Sequence, residues 1–198
     1  MTLWYLARAA GMVALIAFTV STVLGALASG RARPRTWSAI DRRFLMQMAH
    51  RSAAITGLLA LTAHVAILVV DHFVDVSVSG ALVPFTAGYA PVALGLGTLG
   101  TYAIVLAAVT GAARGRLAAS ARAARTWRSV HLMAYAGWAL SMGHGLLAGT
   151  DTGTIWASAV YVACGLAVVV AVAVRLFGHD RSANQPLATA RRLVRITS

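Results

Sequence analysis

The 198-residue chain has no lysine and no glutamate, five aspartates, one cysteine and four prolines, and only 11% of its residues are charged. A soluble domain with so little surface charge would not stay in solution. With 59% hydrophobic residues and a mean hydropathy of +0.76, the chain reads as an integral membrane protein, and soluble enzymes are excluded. A single cysteine, Cys164, excludes a disulfide framework or a thiolate cluster. It lies inside an apolar run and reads as an inert buried thiol.

Five apolar runs are present, at about 3–28, 44–70, 91–113, 129–147 and 155–177. Each approaches the roughly 20 residues a membrane-spanning helix requires. The connections between them are too short to fold alone. The expectation is therefore one all-α transmembrane domain over 1–198, a five-helix bundle, with no attached flavin or nicotinamide domain.

The net charge of +12 comes entirely from arginine, and its placement argues against nucleic acid. Arg31, Arg33, Arg35, Arg42 and Arg43 follow the first run, and Arg114, Arg116, Arg122, Arg125 and Arg128 follow the third. Arg175 closes the fifth run, and Arg181, Arg191, Arg192 and Arg195 lie in the tail. The alternate loops, 71–90 and 148–154, carry Asp71, Asp75 and Asp151 and no arginine. All the clusters thus fall on one side, which predicts the N-terminus outside and the C-terminus inside. Ala26-Leu27-Ala28-Ser29 imitates a signal-peptidase site. Cleavage there would leave the first arginine cluster outside, so the first run is read as a true span. The alanine-rich, arginine-only composition suggests a GC-rich coding bias, and with it a bacterial plasma membrane.

Gly95-Leu96-Gly97-Thr98-Leu99-Gly100 matches G-x-G-x-x-G, but it sits inside an apolar run without the strand that a dinucleotide site needs. Small residues there are expected to serve helix packing. No repeat of fixed period is found. The mildly apolar stretch 82–89 of the outer loop is expected on the bilayer surface or folded over the helix ends. The segment 188–196 reads as a surface-lying tail.

Ionisable side chains inside a span are expensive and usually functional. Four of the six histidines fall within spans: His50 and His64, fourteen residues apart, and His131 and His144, thirteen apart. At about 1.5 Å per residue, each pair is separated by roughly 20 Å along the membrane normal. Both helices run from inside to outside, so His50 and His131 share an inner level, and His64 and His144 an outer one. Two stacked bis-histidine sites follow, an arrangement that suits b-type haem iron. Fourteen residues fall only about 40° short of whole turns, whereas thirteen leave about 140°. Tilt, supercoiling or a kink must absorb that mismatch. Gly57, Gly137, Gly143 and Gly145 are candidates for letting a flat ring approach.

His72 and His179 are read as solvated, and Met46, Met48 and Met142 as packing. Arg51, directly after an inner histidine, is the leading cation for a haem propionate, with Arg43 and Arg128 at the same boundary. Arg8 is expected to reach an outer propionate or pair with Asp71 or Asp151. Tyr135 and Trp138 lie between the histidine levels on the fourth span.

These paired spacings resemble the ferric reductase-like transmembrane domain of NADPH oxidases, ferric reductases and the haem subunit of a bacterial methionine sulfoxide reductase system. The resemblance covers about residues 31–177. It implies haem ligation by His50, His64, His131 and His144, with two haem b groups expected and a single-haem variant as the alternative, and electron flow from the inner level to the outer. Larger members continue into a flavin and nicotinamide domain. This chain ends about twenty residues past its last span, so the expectation is an oxidoreductase component with a separate cytoplasmic flavin or flavoprotein donor. The acceptor is expected on the outer face. Competing expectations are a membrane haem-binding sensor or carrier and, last, a proton-relay transporter.

Overall fold

The computed structural model describes residues 2–28, 37–71, 76–117 and 119–183, and all regular structure among them is helical. The elements are α1 (Thr2–Ala28), α2 (Trp37–Val70), α3 (Val78–Leu82), α4 (Pro91–Ala112), α5 (Arg114–Leu117), α6 (Ala121–His131), α7 (Met133–Ala148) and α8 (Ile155–Ala183). His72, Asp75, Arg31, Arg33, Arg35 and the segment 188–196 lie outside the described residues, as do the side chains of His179 and Arg181.

Four helices are long and apolar enough to cross a membrane: Thr2–Ala28, Ile40–Val70, Pro91–Ala112 and Ile155–Phe177. The fourth expected span, 129–147, is divided. Helix α6 ends at His131, Leu132 sits at φ −65° and ψ −15°, and α7 begins at Met133. The Tyr135 N–H donates to the Leu132 carbonyl at 3.0 Å, a tight i to i+3 turn at the junction. The two pieces differ in chemistry: α6 is arginine-rich and starts with Ser120 capping the Ala123 N–H, whereas α7 has no arginine and is mostly apolar.

Helix α1 packs along α2, and α4 packs along α7 and the end of α6; α1 also meets α7 and α8. Small residues make these approaches possible, with Ala7, Ala14, Ala17 and Ala26 buried on α1 and Ala93, Ala103 and Ala107 on α4. The buried core is thin: Ala14, Phe18 and Ile104, with Leu58, Ala60, Leu61 and Trp138 packed around them. The outward faces keep large apolar side chains exposed, among them Leu59 (68%), Leu45 (64%) and Phe177 (71%). Surfaces of that kind suit hydrocarbon rather than water.

The segment 76–90 does not lie across the bundle end. It runs back along the side of α4, where Thr98 donates to the Ala81 carbonyl at 3.0 Å and Tyr102 to the Leu82 carbonyl. Tyr102 is eleven residues into α4, about 16 Å along its axis. Left-handed backbone at Phe85 (φ 67°) and Ala90 (φ 41°) turns the chain at each end of the return, a conformation costing roughly 1–2 kcal/mol for non-glycine residues.

Candidate functional site

The histidines meet in pairs. His50 of α2 faces His131 of α6, with ring centres 6.3 Å apart and planes at 74°. His64 of α2 faces His144 of α7 at 6.2 Å and again 74°. Two levels of the bundle therefore carry the same arrangement, as the depth argument requires. The thirteen-residue spacing spans the junction at Leu132, with His131 on α6 and His144 on α7.

Each imidazole is held from behind by a neighbouring helix. The Nδ1 atoms of His50 and His64 lie 2.8 and 2.7 Å from the carbonyls of Ser21 and Ala7 on α1. Those of His131 and His144 lie 2.9 and 2.8 Å from the carbonyls of Ala107 and Ala93 on α4. A carbonyl only accepts, so Nδ1 carries the proton in all four rings, which leaves Nε2 as the nitrogen able to offer a lone pair. Such a bond behind a ligating imidazole fixes its tautomer and orientation. At His50 the Ser21 hydroxyl adds a contact 3.0 Å from Nδ1 and donates to the His50 carbonyl at 3.1 Å.

A glycine lies four residues after each of the four carbonyls: Gly11, Gly25, Gly97 and Gly111. The reason is geometric. A helical carbonyl at position i already receives the N–H of residue i+4, so an imidazole using its second lone pair must lie over that residue. A Cβ on Gly11 would stand 2.9 Å from His64 Nδ1, and one on Gly97 2.9 Å from His144 Nδ1. On Gly25 and Gly111 it would come within 3.2 Å of His50 Cε1 and 3.1 Å of His131 Cε1. The glycines expected to admit a flat ring serve elsewhere: Gly57 meets Phe18, Gly137 meets Ile104, Gly143 meets Leu96 and Gly145 meets Tyr161. The glycine a histidine needs stands on the opposing helix, not on its own. Gly11 and Gly25, and likewise Gly97 and Gly111, are fourteen residues apart, matching His50 and His64. That shared spacing is the signal in the sequence by which they are found.

At 6.2 and 6.3 Å between ring centres, with planes at 74°, the paired imidazoles meet edge to face rather than stacked. Two imidazoles per level with their protons turned away are a donor set that fits an axially ligated iron. Among the described residues, no group of three or more His, Cys, Asp or Glu gathers as a metal site.

Other expected participants fall as follows. Arg51 and Arg128 are exposed, Arg43 is half-buried, and Met48 is 46% exposed. Arg8 pairs with Asp151 and lies over the rings of Trp4 and Tyr5. Trp138 stands between the two levels, donating to Thr19 Oγ1 at 2.9 Å within the core cluster. Tyr135 accepts from Arg175 at 3.0 Å. Cys164 is buried. No family model matches the chain, and no curated protein or solved structure matches it.

Proposed function

We propose that the chain is a b-type dihaem membrane protein, ferric reductase-like, that carries electrons across the bilayer. The observation behind this reading is the double pairing of His50 with His131 and His64 with His144. Bound haem supplies a one-electron couple at each level. The chain's own residues do the rest. Helices α2, α6 and α7 present four imidazoles, and the carbonyls of α1 and α4 hold the Nδ1 protons away from the pairs. Two imidazoles at each level would both hold a haem bound there, which would favour electron transfer over capture of a gas ligand.

In this reading α6 and α7 together complete a fifth crossing, with the N-terminus outside, the C-terminus inside and a bacterial plasma membrane as the setting. Arg51 and Arg128 offer cations to anionic propionates at the inner level. A cytoplasmic flavin or flavoprotein serves as donor and an outer-face acceptor receives the electron, making the chain an oxidoreductase component. An inside-negative potential favours outward transfer by about 2.3 kcal/mol per 100 mV crossed. The test is haem per chain by pyridine haemochrome on purified protein, with reduced-minus-oxidised spectra. Two low-spin b haems are expected. No haem after expression with ample haem supply would overturn the proposal.

A further inference from the structure

We infer that Trp127 is a positioning residue of the His50–His131 site and that, with Arg114, it makes the two sites unequal; the inference rests on the haem reading above. The Trp127 indole stacks on the His131 imidazole with ring centres 5.3 Å apart and planes only 15° from parallel. Its Nε1 donates to the Thr110 carbonyl at 2.8 Å. Thr110 belongs to the last turn of α4, where carbonyls lack partners within the helix, so the indole also caps that end. The Arg114 guanidinium lies over the same indole, 5.2 Å from the ring centre. His131 is thus held by the Ala107 carbonyl at Nδ1, by Gly111 at its edge and by Trp127 across its face.

A tryptophan at a membrane boundary ordinarily turns its N–H toward the headgroups. Here the N–H turns inward to α4 and the ring lies on a histidine. Among the described residues, no aromatic ring stacks on His50, His64 or His144 in this way. The consequence is twofold. The stack fixes the His131 ring plane relative to His50, and so the anisotropy of an iron between them. The Arg114 charge, one indole away, favours the state of that iron with one positive charge fewer, which is the reduced state.

The experiment is a redox titration with low-temperature electron paramagnetic resonance on haem-loaded protein, comparing wild type with Trp127→Leu, Trp127→Phe and Arg114→Gln. Trp127→Leu is expected to alter the low-spin signal of one haem and to shift its reduction equilibrium up to about tenfold, about 59 mV for one electron. The other haem should be unchanged. Trp127→Phe keeps a stacking ring and should shift less; Arg114→Gln should make the same haem harder to reduce. If Trp127→Leu does not fold, these two variants carry the test. Equal change at both haems, or none at either in a two-haem protein, would overturn this inference while leaving the haem reading intact. A wild-type protein without haem would overturn both.

Discussion

The α1–α2 pair and the α4–α7 pair perform the same task with different backbones. In the first, α2 carries both histidines; in the second, α6 carries His131 and α7 carries His144; in each, the opposing helix offers two carbonyls, with a glycine four residues beyond each. Helix α2 does this as one unbroken 34-residue helix, while the second histidine helix is cut at Leu132. The difference follows from one residue. Fourteen residues nearly complete four turns, and thirteen do not, so the shorter spacing needs a discontinuity and the longer one does not. The comparison teaches that the constraint acts on the carbonyl and glycine platforms, which keep the fourteen-residue spacing on both α1 and α4.

That comparison can be broken outright by removing a ligand. His64→Ala or His144→Ala should each abolish the same haem and electron delivery to an outer acceptor, read as loss of one haem per chain. Full turnover with either variant would refute a path through that level. Almost as large an effect is expected from register. One alanine inserted after Ile55 in unbroken α2 should rotate His64 by about 100° relative to His50 and lose a site. The same insertion after Leu132 sets His131 and His144 fourteen residues apart, and both sites should survive. Loss of a site there too would show that the break does not serve the spacing.

Adding a methyl group to each glycine sharpens the comparison by level. Gly11→Ala and Gly97→Ala place a Cβ 2.9 Å from Nδ1 and should weaken haem retention more than Gly25→Ala or Gly111→Ala, at 3.2 and 3.1 Å. Retention is read by competition with an apo-haem acceptor protein. The reverse order would mean that the platforms are not what limits the sites. Gly57→Ala instead meets Phe18, at 2.6 Å, between the levels. Overpacking of this kind costs about 1–3 kcal/mol, so thermal unfolding in detergent should fall while both haem spectra stay. The smallest effect is expected from Thr19→Val, which removes the acceptor of the Trp138 N–H. About 1 kcal/mol of stability should be lost, with no change at either histidine pair.

Much of this was legible in the residues themselves. The apolar runs over α1, α2, α4 and α8 needed only length and hydropathy, since a bilayer admits few other solutions. The pairing of His50 with His131 and of His64 with His144 followed from depth, because parallel helices place residues level by level. Trp138 as core and Asp151 as a partner for Arg8 were among the readings their positions allowed. The division of the fourth span was not legible, since hydropathy averages over a single turn. Gly11, Gly25, Gly97 and Gly111 were overlooked because the groups that hold the histidines are backbone carbonyls, which every residue possesses. Trp127 had a signal of its own: it stands four residues before His131, the spacing that makes two side chains neighbours on one helix.

The sequence by itself determined which runs are long and apolar enough to cross a membrane, where its arginines cluster and how far apart the histidines stand along their helices. These depend on composition and helical rise, which are local quantities. The tertiary structure alone decided which carbonyl receives each Nδ1 proton and which glycine yields to each ring. Those are meetings between helices up to 57 residues apart in sequence, settled by how close two backbones can approach.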